Sequence, residues 1–318
     1  MSGVACADAP YFAEVAEAPA GGRAVWLSAA DGVRIRAGFW PGVGAKGTVL
    51  LLPGRTEYLE KYGMAAVDLA ARGYATATLD WRGQGLADRA FADRMVGHVE
   101  DFVEYQLDFE ALVAGCNAAG MPKPYFMMAH SMGGCIGLRA LLRGAPVRAA
   151  AFSAPMWGIL IAAWMKPVAM ILTSVSRWFS FDHHYAPGTG AKTYVVEAPF
   201  TGNTLTTDPV MWDYMKQQAL AHPELSLGGP SLGWLKAALL ECHALSLSPS
   251  PQLPVYCALG LAEKIVDTGP VHLRMANWPG ADFDLVEGAE HEVMMERPQI
   301  RARFFDRATA LFDAQLTP

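Results

Sequence analysis

Charge is scarce in this sequence. Asp, Glu, Lys and Arg make up 18% of it against 52% for hydrophobic residues, where an ordinary soluble domain is about 25% charged. The charge present leans acidic, to a net −6, and no basic stripe interrupts it, which argues against nucleic acid as a partner. Cysteine is sparse too. The five, at positions 6, 116, 135, 242 and 257, are odd in number and form no C-x-x-C pair. That excludes a disulfide framework and a thiolate metal site, and leaves reduced, buried thiols in a cytoplasmic protein as the expectation. No secretory signal is legible, because Asp8, Glu14 and Glu17 stand where a basic and then apolar leader would be needed. A long apolar run is missing as well, with one near exception. Residues 156–179 are nearly all apolar, but Lys166-Pro167 cuts them into two runs too short to span a bilayer. That leaves open an oily surface helix, and with it peripheral contact with the inner face of the membrane. Internal repeats and low-complexity tracts are absent, so the 318 residues read as one large domain or a core carrying an insertion.

Against this background the ordered pattern stands out. Residues 24–28 and 33–40 alternate around Ala30-Asp31-Gly32, a hairpin signal. The continuous apolar run 48–52 suits a strand covered on both faces. A helical pattern with Met64, Val67 and Leu69 follows it, then a strand at 74–79, and then a helix from about 100 to 118 with Phe102, Tyr105, Phe109 and Leu112 at helical spacing. Strands are expected again at 125–130, 149–152, 255–259 and 283–286, and a last helix begins at Pro298. Strands alternating with helices predict an α/β fold with a mostly parallel central sheet flanked by helices. Between 155 and 250 the alternation stops in favour of Met, Trp, Pro, Gly and helical patterns. That length far exceeds a connecting loop, so a mainly helical cap at 155–250 is expected to interrupt a core made of 1–154 and 251–318.

Ala129-His130-Ser131-Met132-Gly133 lies at one strand-to-helix junction. It is a close variant of the G-x-S-x-G nucleophile elbow, in which small residues two before and two after the serine permit a very sharp turn. The turn lifts the hydroxyl over a helix N-terminus, whose free N–H groups favour developing negative charge. An ordinary serine N-cap would look similar, so the remaining chemistry must be found elsewhere. A serine hydroxyl needs a base, and that base needs an orienting acid. His291 follows the last expected strand and precedes the last helix, the position of the base when the order is serine, acid, histidine. Glu263 and Asp267 both follow the strand ending at Gly260. Glu263 is favoured because it is nearer the strand end, whereas Asp267 also suits the N-cap of the next helix. The backbone N–H of Met132 supplies one oxyanion donor, and Pro53-Gly54-Arg55 after strand 48–52 supplies the other through Arg55.

Several of these pieces together carry a family likeness. Residues 52–62 (Leu-Pro-Gly-Arg-Thr-Glu-Tyr-Leu-Glu-Lys-Tyr), Asp80-Trp81-Arg82-Gly83-Gln84-Gly85, Gly97-His98-Val99-Glu100-Asp101-Phe102 and His130-Ser131-Met132-Gly133-Gly134 are the matching pieces of a likeness that extends over nearly the whole chain. The sequence resembles the monoglyceride-lipase and lysophospholipase branch of the α/β-hydrolases, the serine-aminopeptidase-like group. Its Pro-Gly-Arg loop, where monoglyceride lipases carry His-Gly, and its Gly228-Gly229-Pro230-Ser231-Leu232-Gly233-Trp234 stretch are most similar to bacterial lysophospholipases. In that family the acid is usually Asp in G-x-x-D-x-hydrophobic. Gly260-Leu261-Ala262-Glu263-Lys264-Ile265 fits the pattern with Glu, which supports Glu263. The resemblance implies a serine hydrolase acting on a lipid carboxylic ester through an acyl-enzyme, with no metal and no cofactor. A lysophospholipid is the first substrate, and monoacylglycerol or a simple ester the second. Acyl transfer to an alcohol and lipid binding without catalysis are the rivals, and nothing in the sequence bears on oligomeric state.

Blander roles are expected elsewhere. Residues 80–85 read as a turn bracing the elbow, with Gly83 and Gly85 chosen for backbone freedom. His98 reads as a satisfied internal residue. Asp182-His183-His184 matches no common metal spacing. Trp157, Trp164, Met165 and Trp178 are expected to line an acyl pocket.

Overall fold

The computed structural model describes residues 7–160 and 181–316. Its centre is one sheet of nine strands among those residues: β1 (Ala7–Asp8), β2 (Arg23–Ser28), β3 (Arg34–Trp40), β4 (Thr48–Leu52), β5 (Ala75–Asp80), β6 (Tyr125–His130), β7 (Ala150–Ser153), β8 (Val255–Gly260) and β9 (Asp282–Val286). They lie in the order β1-β2-β3-β5-β4-β6-β7-β8-β9. The first three strands, and β5 against β3, pair antiparallel. From β5 to β9 every pairing is parallel. The 23–40 hairpin forms as its sequence indicates, with Gly32 at φ +87° in the turn, a conformation that costs glycine least.

Two-residue periodicity sorts the central strands between two cores. Leu50, Leu52, Met127, Ala129, Phe152, Cys257 and Leu259 face one side. Val49, Leu51, Phe126, Met128, Ala151, Tyr256 and Ala258 face the other. The first core is closed by α3 (Glu104–Ala118) and α4 (Met132–Leu142), the second by α2 (Gly63–Ala71) and the last helix. A strand buried on both faces has no polar side to show, which is why 48–52 and 125–129 read as unbroken apolar runs.

After α1 (Ala13–Ala16) and the elements above, the 155–250 stretch contributes α5 (Tyr194–Glu197), α6 (Pro209–Ala221) and α7 (Leu232–Ser246). Asp208 caps α6 by accepting from Val210 N, and Ser231 caps α7 by accepting from Trp234 N. Helix α7 lays Trp234, Ala237, Ala238, Cys242 and Leu245 into the first core. Arg139 of α4 clasps Glu241 with two bonds, 2.7 and 2.8 Å long. The chain closes with α8 (Thr268–Ala276) and α9 (Pro298–Asp313). No helix among the described residues is long and apolar enough to cross a membrane.

The chain passes from β4 through α2 to β5 on one side, then returns through α3 to β6 on the other. The strand order therefore reverses at β4, and such a switch point opens a crevice beyond the carboxyl ends of its strands.

Candidate active site

Strand β6 ends at His130 and α4 begins at Met132, so Ser131 alone makes the turn. Its backbone sits at φ +49°, ψ −118°, a region that residues with a Cβ rarely adopt and that is held only when surrounding contacts over-determine it. Those contacts are on both sides. Ser131 N donates to Ser153 O at 3.1 Å, and Ser131 O accepts from Met156 N at 2.8 Å. A Cβ at Gly133 would stand 2.2 Å from Leu52 O, and one at Gly134 would stand 2.5 Å from Pro155 Cβ. Glycine at 133 is thus required by the approach of β4, as the elbow motif implies. Met132 opens α4, so its N–H lies in the first turn, where a helix offers no internal acceptor.

The acid and the histidine arrive from β8 and β9. His291 Nδ1 donates to Glu263 Oε2 at 2.6 Å, and both side chains are buried. Glu263 is itself oriented, because its Oε1 accepts from the amides of Ile265 at 2.6 Å and Val266 at 3.1 Å. Burial pushes the Glu263 carboxyl up, but the His291 ring and these two amides outweigh it and hold it below the usual range. Asp267 instead caps α8, accepting from Gly269 N at 3.1 Å. Residues 204–207 hold the histidine loop from outside. His291 N and Glu292 N donate to Thr204 O and Leu205 O, and Thr206 Oγ1 donates to Met295 O at 2.7 Å.

Ser131 and His291 open into one cavity of about 380 Å³, also lined by Arg55, Met156, Ile159, Leu205, Met215, Trp234 and Val266. Its wall is mostly apolar with a few converging polar groups, the usual character of a small-molecule site. Of the aromatic residues expected in an acyl pocket, Trp157 is elsewhere. It is buried among Phe152 and Trp278, with its indole N–H on Gly134 O at 3.1 Å. It packs under the elbow because the first core has room for a ring there. Trp164, Met165 and Trp178 lie outside the described residues.

The 80–85 turn braces the loop after β4, and the elbow only through that loop. Trp81 Nε1 donates to Pro53 O at 2.9 Å, Gln84 Nε2 donates to Gly54 O at 3.0 Å, and Thr56 N donates to Gln84 Oε1 at 3.1 Å. Gly85, at φ +48°, has Asp80 Oδ2 where its Cβ would be. His98 is satisfied as expected, with Nδ1 2.7 Å from Ser231 Oγ and Nε2 3.1 Å from Glu100 Oε1.

One cluster had no signal in the sequence. Beneath the site, Lys61 Nζ donates to Glu57 Oε1 at 2.5 Å and to Glu292 Oε1 at 2.6 Å. Tyr62 and the Gly54 amide also donate to Glu57. His130 donates Nδ1–H to Ser153 O at 3.0 Å, while its Nε2 faces Glu292 at 3.3 Å and Glu57 at 3.6 Å. Burial lowers the affinity of His130 for a second proton, and the two carboxylates more than restore it, so its pKa is raised. Burial pushes the Glu292 carboxyl up, but Lys61 and His130 draw it well below the ordinary range. Glu57, His130 and Glu292 bring their donor atoms close enough to bracket a cation. The Lys61 ammonium already occupies the place between the two carboxylates. The His130 and His291 rings are 4.7 Å apart, so this charge cluster adjoins the histidine of the site. No local pattern could have revealed it, since Lys61 and Glu292 are 231 positions apart.

Comparison with known proteins supplies the family. The family model described as serine aminopeptidase, S33 (Hydrolase_4) matches residues 44–298. The chain is 29% identical to lysophospholipase L2 of Escherichia coli over 280 residues, which is 85% of this chain and 81% of that protein. It is 27% identical to the probable lysophospholipase L2 of Haemophilus influenzae over 255 residues, 80% of this chain and 79% of that one. In structure it is similar to a soluble variant of the monoglyceride lipase of Saccharomyces cerevisiae, with TM-score 0.67 and 21% identity over 91% of this chain and 94% of that one. The sheet order, the elbow and the matched span lead to one conclusion: the chain belongs to the serine aminopeptidase S33 family of α/β-hydrolases.

Proposed function

We propose that the protein is a lysophospholipase, a serine hydrolase that releases a fatty acid from a lysophospholipid through an acyl-enzyme. The observation that carries this reading is the 2.6 Å bond from His291 to Glu263, at the mouth of a mainly apolar cavity that Ser131 shares. Ser131 attacks the ester carbonyl while His291 takes its proton, then delivers that proton to the leaving alcohol. Glu263 holds the imidazole in the tautomer that leaves Nε2 free to accept, and stabilises the imidazolium that forms. The amides of Arg55 and Met132 receive the oxyanion. Water activated by His291 then cleaves the acyl-enzyme.

The relatives named lysophospholipase L2 support the substrate class. The apolar wall of Met156, Ile159, Leu205, Met215 and Val266 supports a single acyl chain. Residues 155–250 serve as a cap, and Val195, Leu205, Met215 and Trp234 supply much of one side of the cavity. Contact with a lipid surface through this region is supported by Leu160 and Phe181, both more than half exposed. Purified protein given lysophosphatidylcholine should release fatty acid and glycerophosphocholine, and Ser131→Ala should release neither. Formation of diacyl lipid in place of free acid would assign acyl transfer. Equal labelling of native protein and Ser131→Ala by a fluorophosphonate probe would leave only a lipid-binding role.

A further inference from the structure

Arg55, a half-buried cation on the wall of the cavity, differs in its surroundings from the fully buried ones. Arg36 meets Glu60 and Asp80 at 2.7 Å each, and Lys61 meets two carboxylates. Arg55 meets none. Among the described residues its guanidinium makes one hydrogen bond, from Nη2 to Gly228 O at 2.7 Å, and it lies 5.2 Å from the centre of the Trp234 ring. Its Nε is buried and without a partner. The segments outside the described residues hold no Asp or Glu that could supply one. The space it occupies is kept clear, because a Cβ at Gly97 would come within 2.7 Å of Nη2. Burial brings its pKa down to about 10, so it remains cationic at neutral pH. Withdrawing a charge from water without a counter-charge is costly, and this half-buried one borders the cavity that Ser131 and His291 share.

We infer that the Arg55 side chain is an anion subsite that reads the phosphodiester of the substrate, and so selects lysophospholipids over uncharged acylglycerols. This rests on the lipid-ester reading above and adds to it the headgroup chemistry. In a lysophospholipid the phosphate lies a few bonds beyond the ester, on the side of the leaving alcohol. One cavity can therefore hold the ester at Ser131 and the phosphate at Arg55. Guanidinium presents a planar fork of N–H donors suited to phosphate oxygens, and here Nε is still uncommitted. Trp234 on one side and the Gly228 carbonyl on the other fix the plane of that fork. The bland alternative is a staple, in which Arg55 merely ties the loop after β4 to residue 228.

Binding of uncleavable ether lipids separates the two without depending on turnover. Dissociation constants are measured for 1-O-hexadecyl-glycerophosphocholine and for 1-O-hexadecylglycerol, below their micelle concentrations, with native protein, Arg55→Gln and Arg55→Lys. The subsite predicts that Arg55→Gln weakens the phospholipid about 10- to 150-fold more than the uncharged lipid. Arg55→Lys recovers part of that difference as a point charge. Arg55→Met, whose stem fills the same space, gives the same comparison should the amide variant not fold. An equal change in both lipids would leave Arg55 a staple and overturn the inference. So would a selective loss of affinity for palmitate, which would make the subsite a reader of the product carboxylate. Fatty-acid release from lysophosphatidylcholine is followed alongside. Its absence would overturn the hydrolase reading even where the binding difference holds.

Discussion

Replacing Lys61 by Met would strip an ammonium from between two buried carboxylates and leave a side chain of similar length. Glu57 and Glu292 approach it at 2.5 and 2.6 Å, and all three side chains are almost wholly buried. Removing one partner of such a pair costs about 3–5 kcal/mol, because the charge left behind is neither solvated nor matched. Unfolding entropy near 2.1 cal/mol/K per residue gives about 0.7 kcal/mol/K for a chain of 318 residues. The melting temperature should therefore fall by about 4–8 °C at pH 7.5. The pH dependence carries a sign of its own. The Glu292 carboxyl is depressed in the folded state, so its stabilisation is present above the ordinary carboxylate pKa and is lost as pH falls through the folded value. The Lys61 pKa is raised, because Glu292 and Glu57 outweigh the burial that lowers it. Its contribution is therefore full at neutral pH and is lost only as alkaline pH passes the folded value. The deficit of Lys61→Met should be widest at neutral pH and narrow on acidification below about pH 4. Circular dichroism melts from about pH 2 to pH 9 at fixed ionic strength would follow it. Lys61→Met/Glu292→Gln should regain part of the loss by removing the stranded charge. An unchanged melting temperature at pH 7.5, or a double variant no better than the single one, would refute the electrostatic reasoning.

Other outcomes follow from the same geometry. Glu263→Gln should lower kcat about 10³- to 10⁴-fold in a fatty-acid release assay, because the tautomer that Glu263 holds is lost. Asp267→Ala should keep activity within a few-fold and cost about 1 kcal/mol as a lost cap, or about 1–2 °C. Reversal of that order would move the acid to Asp267. Ser131→Gly should abolish hydrolysis yet raise the melting temperature by about 1–4 °C, since glycine adopts φ +49° without strain; a lower melting temperature would show that the turn is not strained. Gly133→Val should yield little folded protein, because its side chain would displace the carbonyls of Leu52 and Pro53, a result readable as soluble expression.

Much of this protein was legible along the chain. Apolar runs at 48–52 and 125–129 announced strands covered on both faces, the 30–32 turn announced a hairpin, and small residues around Ser131 announced the elbow. Each is a local matter of periodicity or backbone sterics, so nearby residues carry it. That Ser131, Glu263 and His291 would follow strands of one sheet and gather along one edge was legible too, because a parallel sheet puts the loops after its strands there.

Choosing between Glu263 and Asp267 was different. Both lie after β8 within hailing distance of the strand end, and only the packed loop turns Glu263 toward His291 while Asp267 turns to the α8 amides. The sequence also suggested an acyl-pocket role for Trp157, which packing overruled in favour of the space beneath α4. Two features belonged to the tertiary structure alone. Lys61, Glu57, His130 and Glu292 form one charge cluster only because the segments after β4 and β9 fold together over the end of β6, at the carboxyl edge of the sheet. Arg55 is conspicuous only because folding sets it, half-buried and with no carboxylate beside it among the described residues, on the wall of the cavity. A sequence records which charges exist, but the cost of a charge depends on what surrounds it, and the surroundings are made of residues far away in the chain.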